Sequence, residues 1–326
     1  MMIGDLIRLM SDGNYHSGEE LGEHLGVSRT AVWKQLKKLE ALDIPLEAVK
    51  GLGYRLAERL ELLDGTAIIA QLPTETRHQL QHLFVEEALP STNQYVRDRF
   101  VAGAGHAEAC IAESQSAGRG RRGRAWMCPW GRGLLLSLGW RFEGGANSLE
   151  GLSLAVSVAV SQVLERHGLV VGLKWPNDIL IDQGGTRHKL AGILLEVSGD
   201  LSGPCDVVIG LGLNVSLPEG LRAGMGQPVA AVHDQAPEVS RNQLVAELLV
   251  ALFQLLPRFD QEGFEPWRQA WNRRHAHTGC EVEVSQGNIH YFGVAEEVDV
   301  SGCLLVRRGE SVEKLAGGEV SVRGHP

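Results

Sequence analysis

Arginine and glycine alternate in one short segment of the chain, Gly118-Arg119-Gly120-Arg121-Arg122-Gly123-Arg124. A protein core cannot hold several unpaired guanidinium groups, and glycine disfavours both helix and strand. This segment, called the arginine loop below, is therefore predicted to be a mobile cationic loop. Because the formal net charge of the chain is -9, positive charge concentrated here indicates an anionic ligand, either phosphate or carboxylate. The alternative is a solvated surface loop.

The arginine loop also matches the GxGxxG spacing of dinucleotide-binding proteins at Gly118, Gly120 and Gly123. That fingerprint binds a dinucleotide only where it opens a helix. Residues 125–131 are typical of a loop instead, so we reject a dinucleotide site.

Three further segments place polar groups at the predicted ends of strands or helices. Lys174-Trp175-Pro176-Asn177-Asp178 combines an ammonium, an amide and a carboxylate at a strand end, where they can bind phosphate and hold Mg²⁺. Lys189 directly precedes an apolar strand, and its ammonium could neutralise a ligand carboxylate. The groups of Ser91-Thr92-Asn93-Gln94 at a helix start suit a neutral polar group such as a urea. The alternatives are a strand-ending turn, a solvated lysine and a helix-capping box.

Residues 1–62 are predicted to form a helix-turn-helix unit, at about 18–37, followed by a hairpin wing. Ser17 with Glu20 opens the second helix, Gly26 ends it, and Ser28 caps the third. The exposed face of the third helix carries side chains suited to phosphates and base edges: Arg29, Thr30, Trp33, Lys34, Lys37 and Lys38. Because the unit as a whole is not basic, a three-helix packing or dimerisation module is the alternative.

The middle of the chain, residues 67–260, alternates short apolar segments with turns and a few amphipathic helices. Strands joined by short turns predict an α+β architecture with a mixed or largely antiparallel sheet. We expect a linker over Glu58–Gln71, a late helix that stops before Pro257, and a small all-β module of about five strands over 276–326. His275 and His277 are interpreted as structural or surface residues.

The composition limits the class of protein. The five cysteines are scattered without a CxxC pair, which indicates neither a zinc site nor a disulfide framework. The chain has no run of eighteen apolar residues and no secretory leader, so we expect a cytoplasmic protein without a membrane span.

Taken together, these segments resemble bifunctional biotin–protein ligases that double as the biotin operon repressor. The matching residues are Ser17–Gly22, Ser28-Arg29, Ser91–Tyr95, Gln115, Ala117–Arg124, Lys174–Asp178, Lys189–Leu194 and Gly317-Gly318-Glu319. The resemblance implies a winged helix-turn-helix domain over 1–62, a ligase domain over 67–260 and an SH3-like β-barrel over 276–326.

The resemblance also implies a reaction. Biotin and MgATP would give biotinyl-5′-adenylate and pyrophosphate, and biotin would pass to a lysine of a biotin carboxyl carrier protein, typically of acetyl-CoA carboxylase. The same chain would repress transcription in response to biotin, binding operator DNA as a homodimer when it holds the adenylate.

Residue roles follow by matching motifs. The implied biotin-binding residues are Ser91, Thr92, Asn93, Gln115, Arg119, Gly120, Arg121 and Lys189. The implied ATP- or adenylate-binding residues are Arg121, Arg122, Lys174, Asn177 and Asn214. Catalysis is assigned to Arg121, Lys189, Lys174 and Asp178, with Mg²⁺ carried by ATP and Asp178 as its protein ligand.

One segment departs from the family. The family's repressor stacks a tryptophan on adenine from a loop that here spans 214–232 and contains no tryptophan, so no residue is assigned to that contact.

Two other functions are weighed. A ligand-sensing transcription factor without ligase activity would not need the arginine loop or Lys189. A lipoate-type ligase usually lacks both the arginine loop and the winged helix.

Overall fold

The computed structural model describes residues 3–58, 60–200, 203–286, 289–317 and 320–324. Gly318 and Glu319 of the family motif lie outside the described residues. The first half of the chain forms α1 Ile3–Met10, α2 Gly18–Leu25, α3 Arg29–Ala41, β1 Leu46–Val49, β2 Gly53–Leu56, α4 Gly65–Gln71, α5 Thr74–Gln79, β3 His82–Leu89, α6 Thr92–Val101, β4 Glu108–Gln115, β5 Gly133–Phe142 and α7 Leu152–Arg166. The second half forms β6 Val171–Lys174, β7 Asp178–Gln183, β8 Thr186–Gly199, β9 Cys205–Asn214, α8 Glu219–Arg222, α9 Arg241–Glu262, α10 Glu265–Arg274, β10 Glu281–Gln286, β11 Ile289–Val298, β12 Leu304–Arg308, β13 Ser311–Leu315 and β14 Val320–Gly324.

The N-terminal unit has the predicted order of three helices and a hairpin. Ser17 and Glu20 form the reciprocal capping box, and Gly26 ends α2 with a left-handed φ of 65°. Strands β1 and β2 pair antiparallel. Trp130, from far along the chain, is buried in the same apolar cluster at 5% exposure. The predicted helix-turn-helix and hairpin are therefore confirmed, and the unit is joined to the rest of the chain through a shared core.

The central sheet has seven strands in the order β3-β4-β5-β9-β8-β7-β6. Strands β3 and β4 run parallel, and every other neighbouring pair runs antiparallel. Helix α6 packs on β4, β5 and β9 through a small cluster that includes Val96 and Phe100. Helices α7 and α9 pack together within the main apolar core. The prediction of a mixed, largely antiparallel sheet is confirmed.

A second sheet of five antiparallel strands, in the order β13-β12-β11-β10-β14, follows at the C-terminal end. The main apolar core continues into it. Trp175, which follows β6, donates its indole N–H to the backbone oxygen of Gly302 at 3.0 Å. His275 and His277 lie at this junction with exposures of 7% and 4%, which confirms their structural interpretation and excludes the surface one.

The expected linker and late helix were partly wrong. Residues 65–71 of that linker form α4, because Asp64 accepts hydrogen bonds from the backbone N–H groups of Thr66 and Ala67 and so caps a helix start. Helix α9 runs through Pro257 to Glu262. Phe259 is 1% exposed beyond the proline, so core packing holds the helix where local propensity would end it.

Three further elements were not predicted, and one boundary moved. Helices α5 and α8 and the edge strand β3 are too short or too mixed in polarity to give a clear hydrophobic period. Strand β8 starts at Thr186, so Lys189 lies inside the strand opposite Leu180 and does not precede it. Across the described residues, no helix combines the length and apolarity needed to span a membrane.

Candidate active site

A cavity of about 630 Å³ opens between the start of α6, the arginine loop and the strands of the central sheet. With the exception of Asn214, every residue predicted to bind biotin or nucleotide, or to act in catalysis, lines it. These residues are Ser91, Thr92, Asn93, Gln115, Arg119, Gly120, Arg121, Arg122, Lys174, Asn177, Asp178 and Lys189. Segments spread over about a third of the chain therefore meet in one place.

One end of the cavity is lined by neutral hydrogen-bonding groups. The Thr92 backbone N–H donates to Gln115 Oε1 at 2.6 Å, and the Thr92 hydroxyl oxygen lies 3.0 Å from the same atom. Ser137 Oγ lies 2.8 Å from Thr92 Oγ1 and 2.6 Å from Asn93 Oδ1. Side chains that both donate and accept suit a urea-like group. We call this the neutral end.

Two glycines of β9 make room for the cavity wall. A Cβ atom on Gly210 would lie 2.2 Å from Asn93 Oδ1, and one on Gly212 would lie 2.4 Å from the Trp126 ring. Any larger residue at either position would therefore displace Asn93 or Trp126 from the cavity.

The other end of the cavity is charged. Lys189 Nζ lies 2.8 Å from Asp178 Oδ1, and both side chains are 19% exposed. Arg121 donates to Asn177 Oδ1 at 3.2 Å. Burial lowers the pKa of the Arg121 guanidinium, and the nearby Asp178 carboxylate opposes that shift. The cations of the arginine loop and of β8 thus converge beside the Lys174–Asp178 turn, forming what we call the charged end.

The backbone around Lys189 is held from both sides. Its N–H donates to the Pro228 oxygen, and its own oxygen accepts from Ala230 N–H, both at 2.9 Å. Asn214 is 3% exposed and donates to the Ala230 oxygen at 3.1 Å, outside the cavity lining. Asn214 therefore supports the segment that pairs with Lys189, and its contact with nucleotide remains a prediction.

The 214–232 loop, which lacks the family's tryptophan, folds against the charged end. Arg222 pairs with Asp234 and donates to the Leu217 oxygen at 2.9 Å. This contact holds the loop so that Met225 and Gln227 line the cavity. Neither residue was assigned a role from the sequence.

Sequence reasoning also missed two polar residues that contact the cavity lining, Ser137 and Glu196, and one aromatic residue within the lining, Trp126. Ser137 is a lone hydroxyl in the apolar run of β5, and it is fully buried. Glu196 interrupts the apolar sequence of β8, and its carboxylate accepts a hydrogen bond from the Asn93 side-chain amide at 2.8 Å. Trp126 lies with its ring centre 5.4 Å from Lys189 Nζ. A polar residue that interrupts an apolar strand was the available signal for the first two.

The face of α3 that was predicted to contact nucleic acid is exposed to solvent. All six predicted DNA-binding side chains are exposed: Arg29, Thr30, Trp33, Lys34, Lys37 and Lys38. Trp33 is 51% exposed, and with Tyr54 of the hairpin it lines a groove beside α3. Lys37 pairs with Glu40 at 2.7 Å in a contact that is exposed to solvent on both sides.

Comparisons with known proteins agree with these features. The sequence model of the Biotin/lipoate A/B protein ligase family matches residues 85–214, and an HTH domain model matches residues 5–55. The Bifunctional ligase/repressor BirA of Salmonella typhimurium is 37% identical over 98% of this chain and 96% of its own length. The Biotin--[acetyl-CoA-carboxylase] ligase of Paracoccus denitrificans is 33% identical over 66% of this chain and 90% of its own.

A solved structure shares the fold. The biotin protein ligase from Aquifex aeolicus in complex with biotin and ATP superposes with a TM-score of 0.63 at 24% identity, covering 75% of this chain and 100% of that one. Identity over nearly the full length of the Salmonella relative, together with the two domain matches, establishes the relationship. The chain belongs to the family of bifunctional biotin–protein ligases and repressors.

Proposed function

We propose that the cavity forms biotinyl-5′-adenylate from biotin and ATP and then transfers biotin to a lysine of a biotin carboxyl carrier protein. The chain is a ligase and repressor by family, and the names of its relatives include the acetyl-CoA-carboxylase ligases. Biotin and ATP as substrates are supported by the complex of the Aquifex aeolicus ligase. The observation that carries the proposal is that the neutral end and the charged end belong to one cavity.

The neutral end would hold the ureido ring of biotin. Its backbone and side-chain donors and acceptors, from Ser91, Thr92, Asn93 and Gln115, match a group with two N–H donors and one carbonyl acceptor. Binding the ring at this end would direct the valeryl carboxylate toward Lys189 and Arg121.

The charged end would offset the repulsion between two anions. Attack of the biotin carboxylate on the α-phosphate of ATP brings negative groups together and builds charge on the phosphoryl oxygens. Arg121 and Lys189 are positioned to stabilise that charge inside a partly buried site, where electrostatic contacts count for more than in water. Fixing both substrates in one cavity also removes much of the entropic cost of their meeting.

The arginine loop would act as a flap. Its residues Arg122, Gly123 and Arg124 are exposed, whereas Arg121 reaches Asn177 across the cavity. A loop that opens for substrates and closes afterwards keeps water from the mixed anhydride until the carrier lysine arrives.

Magnesium would arrive with ATP. Within the described part of the chain, no group of three or more acidic, histidine or cysteine side chains could hold a metal by itself. A single carboxylate beside the phosphates is the usual arrangement for Mg²⁺, and Asp178 supplies one at the charged end. The residues present therefore fit a metal that neutralises phosphate charge as part of the nucleotide.

The ligase proposal is tested by mass spectrometry of a carrier domain after incubation with the protein, biotin and ATP. We expect a single lysine to gain biotin, with no product when lipoate replaces biotin or when ATP is omitted. Lipoylation without biotinylation would identify a lipoate-type ligase, and no product from either acid would leave a ligand-sensing transcription factor.

The exposed face of α3 would read operator DNA, with phosphate contacts from its cations and base contacts from Thr30 and Trp33. We propose that the adenylate-bound form binds as a homodimer. A gel-shift and sedimentation comparison with and without biotin and ATP, at near-physiological salt, tests both points. Equal binding in the two conditions would remove the biotin-responsive repressor role.

The finer domain assignments are also proposals. The N-terminal apolar cluster, to which the rest of the chain contributes Trp130, supports a domain over 1–62, and the central sheet supports a ligase domain over 67–260. Five antiparallel strands support an SH3-like barrel over 276–326. A protein whose partners are a carboxylase carrier protein and operator DNA would act in the cytoplasm.

A further inference from the structure

The carboxylate of Glu196 joins three elements at the neutral end. Glu196 Oε2 accepts from the Asn93 side-chain amide at 2.8 Å. Glu196 Oε1 lies 3.4 Å from Arg119 of the arginine loop and 3.7 Å from Arg97 of α6. Its side chain is 22% exposed, so these contacts are only partly screened by water. One residue of β8 thus contacts both the wall of the cavity and its flap.

The contact with Asn93 fixes the orientation of an amide. An ionised carboxylate only accepts hydrogen bonds, so it requires the Nδ2 side of Asn93 to face it. Asn93 Oδ1 is then directed to Ser137, at 2.6 Å, and through Ser137 to the hydroxyl of Thr92. The Leu194 backbone oxygen also accepts from Asn93 Nδ2, at 3.4 Å, so Glu196 supplies the shorter and the charged one of the two contacts that hold the amide in this orientation.

The contact with Arg119 ties the arginine loop to the same carboxylate. Arg119 is 44% exposed, and its ion pair reaches from the start of the loop to the cavity wall. The contact with Arg97 is longer and involves no part of the loop. Glu196 therefore contacts one arginine of the arginine loop, Arg119, and one arginine of α6, Arg97, which serves as a matched control.

We propose that Glu196 is a positioning residue that couples closure of the arginine loop to the arrangement of the neutral end. Glu196 orients Asn93 and contacts Arg119 at the same time. The arginine loop therefore closes best when the side chains of the neutral end are arranged to bind their ligand. This inference rests on the proposed function, since it assigns the neutral end to biotin. Glu196 does not touch the reacting atoms and does not belong to the family motifs that the chain matches.

The test is Glu196→Gln, which keeps size and shape but removes the charge. Loss of a charge-assisted hydrogen bond should raise KM for biotin about tenfold. The adenylate should also dissociate faster in a chase experiment. Because the reacting atoms are untouched, kcat for adenylate formation should stay close to that of the unaltered protein. Glu196→Asp, which restores the charge, should recover part of the loss.

The matched controls are Arg119→Met and Arg97→Met. Coupling through the loop predicts that Arg119→Met raises KM for biotin, that Arg97→Met does not, and that only the Arg119 change is non-additive with Glu196→Gln. If Glu196→Gln fails to fold, the same double-mutant comparison is made with Glu196→Asp, because Arg119 is itself an implied biotin-binding residue and its own effect on KM does not separate the two roles. Equal effects of the two arginine changes would overturn the inference.

Unchanged KM and adenylate release in folded Glu196→Gln would overturn it as well, as would a loss confined to kcat. In either case the unaltered protein would still biotinylate the carrier, so the proposed function would stand. An unaltered protein that does not use biotin would instead refute the proposed function and this inference with it.

Discussion

Replacement of Lys189 by methionine isolates the contribution of one cation to adenylate formation. The backbone at this position is fixed by hydrogen bonds to Pro228 and Ala230 that do not involve the side chain. Methionine has nearly the length of the lysine stem, so the strand and the cavity should keep their shape. The change removes the ammonium and leaves Asp178 without the ion partner seen at 2.8 Å.

The expected loss follows from the charge that develops on the phosphoryl oxygens. Removing one preorganised group that stabilises such charge costs about 2.7–4 kcal/mol, which is about 100- to 1000-fold in rate. The freed carboxylate of Asp178 acts in the same direction, because it repels the attacking carboxylate. The rate of adenylate formation should therefore fall by at least about 100-fold.

Single-turnover measurements separate the two steps. We expect Lys189→Met to slow adenylate formation from biotin and ATP far more than carrier biotinylation from preformed biotinyl-5′-adenylate. Lys189→Arg is the matched control, and it should be intermediate because a planar guanidinium keeps the charge but not the geometry. A decrease of less than tenfold in adenylate formation, with the protein folded, would refute the assigned role.

Three further outcomes are expected. Arg121→Gly should let the adenylate escape before transfer, because it removes the contact with Asn177 and adds backbone freedom to the loop. Adenylate release as slow as in the unaltered protein would contradict the proposed role of the arginine loop as a flap. Arg241 and Glu113 form a buried ion pair at 2.8 Å, so Arg241→Met should lower the free energy of unfolding by about 3–5 kcal/mol because it leaves the Glu113 carboxylate buried without its cation. The double variant Arg241→Met with Glu113→Leu should lose less stability than the sum of the two single changes. Burial lowers the pKa of His277 to about 3, so the unfolded chain binds a proton that the folded chain excludes as pH falls below about 6.5. Stability should then decrease by about 2 kcal/mol between pH 7 and pH 5 from this residue, and His277→Gln should show a shallower pH dependence in denaturant titrations.

Short contiguous motifs were enough to predict most of the site. The arginine loop and the Lys174–Asp178 turn carry their chemistry within a few adjacent residues, and the caps of α2 and α3 are equally local. For such features, residue type and spacing along the chain already determine the geometry.

Ser137 and Glu196 could not be found in that way, because their roles depend on sheet order. Strand β9 lies between β5 and β8, although it follows both in the chain. Ser137 therefore pairs with Gly210, and Glu196 with Val208 of the same strand. Their common contact, Asn93, comes from a helix packed across that arrangement. Only the pairing of distant strands brings these side chains together.

The burial of Trp130 in the N-terminal cluster has a practical consequence. Trp126 faces the cavity only four residues earlier, and four residues reach at most about 14 Å. Arg132, two residues later, is 2% exposed and pairs with Glu58 of the N-terminal part. A shortened protein that begins after residue 62 would therefore expose the Trp130 indole to solvent and leave the Arg132 guanidinium without its carboxylate partner. We expect such a fragment to self-associate.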